Sequence, residues 1–290
     1  MKPTFNNFNI ERERAEHTEE DWRFGALSQS ALITIPEAER TAYLSHGEQQ
    51  STGIVDTSGC VSRAFINVLA PIFTYGYQKK LFTPKNLKFL EQYADANSVI
   101  DFSDHMVEIG SETTRAGNSL KSPIEYIRKN GLIPKTMLPT TQGVDFDTYY
   151  NPAQITQAMK DLGDEFAHRF TINYEQVSEV HFKEVLKEDF LVCALYAWPD
   201  LVNGEYPRST FPFNHAVAMF KTPAYYIFDN YTFGDPEHDY IKKLAPDYDF
   251  YEFAYRPYIS AQNDTIGEQI SLMKQLIIVL TKLRDLLLTR

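Results

Sequence analysis

A chain of 290 residues with 43% apolar and 23% charged side chains is long enough for one large domain or two lobes around a substantial core, and its composition is not that of a disordered protein. Its formal net charge of −11 speaks against nucleic acid as a main partner, because binding phosphates needs clustered Lys and Arg. Two cysteines, Cys60 and Cys193, are too few for a disulfide framework and fit a reducing compartment.

Residues 1–50 read as a polar leader, a candidate pro-segment. Its charge run at 11–16 (ERERAE) is expected as a solvated helix face or an arm. Asp21, Trp22, Arg23, Phe24 and Gly25 supply aromatic anchors that would pack it on the body. The leader carries no apolar stretch of the secretory kind, so the expected location is cytoplasmic, in a host cell or a virion.

At Thr57-Ser58-Gly59-Cys60 a turn of small residues runs into a helix. Its apolar positions Val61, Ala64, Phe65, Val68, Leu69, Ile72 and Phe73 follow helical period over a wide, buried face. Pro71 should kink or end its regular part. A second helix is expected from Ser122 to about Asn130, stopped by Gly131. Another should open at Asn151-Pro152 and run to about Leu162 or Phe170.

A short helix over 182–187 leads into residues 190–197 (FLVCALYA), a run apolar enough for a buried strand, with Cys193 as core. From 211 to 260 the chain turns to short aromatic strands broken by Pro, Gly and Asp. Asn214 to Phe220 and Tyr248 to Tyr258 alternate faces, and Tyr225 to Tyr231 forms a strand ending in the polar pair Asp229-Asn230. A helix-rich first half and a strand-rich second half make an α+β pattern.

The tail, residues 263–290, places Met273, Leu276, Leu280, Leu283 and Leu287 at heptad-like spacing, broken by charges. It is expected as an amphipathic helix that docks on the body or serves as an oligomer or partner contact. Lys274, Lys282, Arg284 and Asp285 interrupt it, so it is not expected to span a membrane, and no membrane span is expected elsewhere.

Cys60 begins a helix, where backbone N–H groups favour a thiolate. Of the seven histidines, His215 is set apart because it opens an alternating strand 155 positions downstream, near the ~130–150 of papain-type enzymes. The chain has no His-Glu-x-x-His, Walker loop, Gly-x-Gly-x-x-Gly or Gly-x-Ser-x-Gly, so no metal or cofactor is expected.

Asn214-His215-Ala216-Val217 resembles the (Asp/Asn)-His-Ala-Val of the papain-like cysteine peptidases. Ile227-Phe228-Asp229-Asn230-Tyr231 resembles their Ile-Lys-Asn-Ser-Trp. The segments 102–139 and 182–194 also look like family segments, and the whole, roughly residues 20–260, is most similar to divergent members carried by bacteriophages. The resemblance implies a two-lobe fold over residues 51–262, with a helix-rich lobe at 51–170 and a strand-rich lobe at 171–262. It also implies a cysteine peptidase acting on protein or peptide through a thioacyl-enzyme. Cys60 would be the nucleophile, His215 the base and acid, Asp229 the orienting group and Gln50 the oxyanion donor.

The chain departs from the family in several places. The family's Cys-Gly-Ser-Cys-Trp is Thr57-Ser58-Gly59-Cys60-Val61 here, and Ile54 stands where the oxyanion glutamine is expected. Gln50 is taken ahead of Gln49 on the assumption of a longer loop. Asp229 is taken ahead of Asn230 because it keeps the strand frame. A non-catalytic papain-like binding or assembly scaffold and a Cys-His peptidoglycan amidase stand as alternatives.

Overall fold

A computed structural model describes residues 7–16, 32–45, 47–208, 212–231 and 240–260. The aromatic anchors at 21–25 and the amphipathic tail at 263–290 lie outside the described residues. The helices in chain order are α1 (Ile10–Glu16), α2 (Arg40–Tyr43), α3 (Cys60–Gln78), α4 (Pro84–Leu90), α5 (Asp104–Gly110), α6 (Lys121–Asn130), α7 (Phe146–Tyr149), α8 (Gln157–Arg169) and α9 (Phe182–Glu188). The strands are β1 (Thr171–Ser178), β2 (Leu191–Leu195), β3 (His215–Lys221), β4 (Tyr225–Phe228), β5 (Ile241–Leu244) and β6 (Phe253–Ser260). They form one antiparallel sheet in the order β1-β6-β2-β3-β4-β5. The fold is α+β.

Strand alternation divides the core. Along β3, Ala216, Ala218 and Phe220 belong to the cluster built around α3, while Val217 and Met219 belong to a second cluster with Cys193, Phe182 and Leu186 of α9. Small residues on the α3 side let the helix lie close against β3, β2 and β6. Every α3 residue from Cys60 to Thr74 is buried. This helix is surrounded by protein, wider in burial than one apolar stripe.

Several expectations need correcting. α3 runs on through Pro71 to Gln78, so the proline does not end it. The Asn151-Pro152 signal starts only a single 3₁₀ turn, Pro152–Gln154, and α8 opens at Gln157 with Thr156 accepting from the Met159 N–H as its cap. The charge run at 11–16 is a helix, yet Glu13 is wholly buried, so the run is not simply a solvated face. β1 and β5 lacked a clear sequence signal. β1 reads TINYEQVS, and its one charged residue, Glu175, is buried in an ion pair with Arg256 at 3.0 Å.

Candidate active site

The loop before α3 is held on three sides. Asp56 Oδ1 accepts from the Ser58 N–H at 2.7 Å and from Gln50 Nε2 at 3.0 Å. Ser58 adopts φ 57°, an uncommon conformation for a residue with a side chain. The Tyr150 hydroxyl donates to the Thr57 carbonyl at 2.6 Å. Gly59 lies against the Glu108 carboxylate so closely that a Cβ would run into it. Glu108 in turn accepts from Arg63 Nε at 2.7 Å, both side chains being inaccessible. A buried ion pair thus braces the first turn of the helix that carries Cys60.

Cys60 is 1% exposed, and its thiol donates to the Asn7 carbonyl at 3.4 Å. Burial drives its pKa well above the ordinary thiol value. The N–H groups of Ala216 and Val61 pull the other way, while the charges of Asp56 and Asp229 add to the rise. Burial thus acts against the thiolate expected at a helix start, and the helix-start N–H groups only partly oppose it. Cys193 sits in the middle of β2, fully buried, and its pKa is likewise raised by burial.

β3 places His215 opposite Leu195 of β2, and the Ala216 N–H that acts on the Cys60 thiol comes from the next residue. His215 Nε2 meets Asp229 Oδ1 at 2.6 Å with both side chains about 1% exposed. Asp229 Oδ2 lies 3.1 Å from Lys242 Nζ. Burial alone would raise the Asp229 pKa, but Lys242 and His215 outweigh it and hold the carboxyl below its usual value. Lys242 also donates to the Tyr231 carbonyl at 2.5 Å and stands 5.5 Å from the Trp198 ring centroid. The Trp198 and Tyr231 rings lie 5.8 and 5.3 Å from the imidazole. They form a dry wall around the His215–Asp229 pair.

The other expected residues fall as follows. Asn230 accepts from Asn67 Nδ2 at 2.8 Å and donates to the Glu48 carbonyl at 3.0 Å, which ties β4 to α3 and to the loop before it. Gln50 is buried, its backbone N–H donating to the Asn230 carbonyl at 3.0 Å. Its side-chain amide is aimed at Asp56, and its Oε1 is a buried acceptor with no hydrogen-bond partner among the described residues. Among the described residues no group of three His, Cys, Asp or Glu side chains is placed to hold a metal ion.

Sequence reasoning missed Lys242 and Asp56. Lys242 is the second residue of Ile241-Lys242-Lys243-Leu244, and nothing in that string separates a buried lysine from a solvated one. Asp56 had a usable signal, since an Asp two positions before a small residue in a turn suits an Asx turn.

Fold and site together define an α+β protein in which α3, opened by the Cys60 thiol, packs on β3, whose first residue His215 belongs to a buried His–Asp–Lys cluster. No family model matches the chain, and no curated protein matches it either. No helix among the described residues is long and apolar enough to cross a membrane.

Proposed function

We propose that the chain is a papain-like cysteine peptidase, nearest in kind to the divergent bacteriophage-type members. In this reading the α3 side forms a helical lobe, the antiparallel sheet forms a β lobe, and the cleft opens between Cys60 and His215. The observation that carries it is the 2.6 Å contact between His215 and Asp229, buried next to the residue whose N–H acts on the Cys60 thiol. A histidine that needed only to fill space would not require a desolvated carboxylate, which is costly to bury unless paired.

The chemistry follows from which nitrogen is occupied. Asp229 holds Nε2, so proton exchange with Cys60 runs through Nδ1. In the opened site Cys60 loses its proton to His215 and attacks a peptide carbonyl. His215 then returns the proton to the leaving amine, and water hydrolyses the thioacyl-enzyme. Lys242 offsets part of the Asp229 charge and fixes that carboxylate from the far side. The Cys60 N–H and the Gln50 amide are the proposed oxyanion donors, and one such donor is typically worth ~2.7–4 kcal/mol. Gln50 must swing its amide away from Asp56 to serve.

A second reading has its own support. Gln50 bonded to Asp56, and a carboxylate near the thiol, suit a papain-like scaffold that binds without cleaving. Incubating an unfolded protein substrate with the chain and with its Cys60→Ser and His215→Ala variants decides between them. The peptidase reading expects fragments from the parent and not from the variants; equal fragments from all three exclude Cys60 and His215 as their source, and none from any favours the scaffold.

A further inference from the structure

What covers Cys60 is the chain's own leader. The N–H groups of Asn7 and Phe8 both donate to the Asn214 carbonyl, at 2.9 and 3.2 Å, immediately before His215. On the other side the Asn118 N–H donates to the Asn7 carbonyl at 3.2 Å and the Asn9 N–H to the Asn118 carbonyl at 2.9 Å. Residues 7–9 therefore bridge the helical and the strand-rich halves across the thiol, with the Asn7 carbonyl as the thiol's acceptor. The Asn7 side chain donates to the Tyr231 hydroxyl at 2.9 Å. Gly117, at φ 81°, comes so close to the Asn7 backbone that a Cβ would overlap it. Phe8 is 3% exposed and meets Tyr251 edge-on at 5.5 Å.

α1 anchors this segment by polar contacts, added to the apolar packing of Phe8 and Ile10 against the core around α3. Asn9 caps α1 by accepting from the Arg12 N–H at 3.0 Å. Glu13 accepts from the Leu120 N–H at 2.6 Å and from the Tyr255 hydroxyl at 3.0 Å, and Arg12 donates to Ser122 Oγ at 2.6 Å. Main-chain hydrogen bonds exchange readily for those of another polypeptide, and polar anchors exchange for water. Displacing the segment breaks those bonds and exposes the Phe8 ring, while the sheet ladder and α3 lie outside it.

We infer that residues 7–9 are an intramolecular occupant of the Cys60 cleft, so that the chain folds in a closed form and any substrate must displace its leader first. The functional consequence rests on the peptidase reading; the occupancy does not.

The test uses the full chain and two leader variants, Phe8→Asp and Glu13→Lys, neither of which touches the His215 cluster. Iodoacetamide labelling of each cysteine is followed by peptide mass spectrometry, with Cys193 in β2 as the internal reference. Cys60 should label about tenfold faster or more in both variants while Cys193 stays at the parental rate. Unchanged Cys60 labelling in both variants overturns the inference. So does equal acceleration of both thiols, because the leader would then be part of the core and not a removable cover. Selective Cys60 labelling with no peptide cleavage upholds the occupancy and removes the peptidase reading.

Discussion

Replacing either member of the Arg63–Glu108 pair should cost unequal amounts. Arg63 Nε lies 2.7 Å from Glu108, and Arg63 Nη1 lies 3.8 Å from both Asp104 and Glu48. Burial works against the Arg63 charge, yet Glu108 and Asp104 raise its pKa well above the ordinary value. Arg63→Met strands the inaccessible Glu108 and leaves Asp104 to Lys135 alone, at 3.8 Å. Breaking a buried pair from one side typically costs ~3–5 kcal/mol. Glu108→Gln keeps an acceptor for Nε, and the guanidinium keeps two carboxylates nearby, so the loss is that of a charge-assisted bond, about 1–2 kcal/mol.

At about 2.1 cal/mol/K per residue, 290 residues lose roughly 1.6 °C of Tm per kcal/mol. Arg63→Met should then melt about 5–8 °C below the parent and Glu108→Gln about 2–3 °C below it. Differential scanning calorimetry at pH 7 measures both. Losses that agree to within about 1 °C, or a larger loss for Glu108→Gln, would refute the unequal compensation argued from the geometry.

Four further outcomes follow. Burial raises the Glu13 pKa to about 7 against the pull of the Leu120 N–H and the Tyr255 hydroxyl. A carboxyl with a raised folded pKa binds more protons folded than unfolded, so its contribution weakens as pH climbs from the ordinary carboxyl range through about 7. Glu13→Gln should remove that loss and stabilise the chain at pH 8 by up to about 3 kcal/mol, read by urea unfolding at pH 5 and pH 8; an equal effect at both would contradict it. Asp229 behaves oppositely: its lowered pKa contributes stability above the ordinary carboxyl range that is lost in acid, and Asp229→Asn should flatten the acid limb of a Tm–pH curve.

Lys242→Met leaves the buried Asp229 charge with His215 as its remaining ion-pair partner and should destabilise by ~3 kcal/mol; a loss under about 1 kcal/mol in urea unfolding would mean that Lys242 does not hold the carboxylate. Gly59→Ala drives a methyl into the Glu108 carboxylate and should cost ~1–3 kcal/mol, with cleavage falling more than stability accounts for. Retained full activity would show that the loop is not set by that contact.

Much of the fold could be read from pattern. Helical period at Val61, Ala64, Phe65 and Val68 and alternation over Asn214 to Phe220 rest on one face being buried, and both elements are present. β1 and β5 were hidden because their charged residues are paired within the protein: Glu175 with Arg256 and Lys242 with Asp229. Pairing over such sequence distances leaves no local trace.

The same limit shaped the site. His215 and Asp229 stood in recognisable strings, and the structure places them in contact. Gln50 could be named only from spacing, and its amide points to Asp56. Burial of Cys60, to which the Asn7 carbonyl 53 positions away adds a contact, works against the local field of the helix start.

The central claim is that Cys60, released from its leader, cleaves polypeptide with His215 as its base. The most direct measurement is cleavage of an unfolded protein by the Phe8→Asp chain, alone and combined with Cys60→Ser or His215→Ala, with each sample's Cys60 or control labelling recorded in parallel. The account predicts fragments from Phe8→Asp alone and a loss of about 10²-fold or more in rate with either added change. An opened chain whose Cys60 alkylates freely but which yields no fragments, or fragments that persist without Cys60, would contradict it.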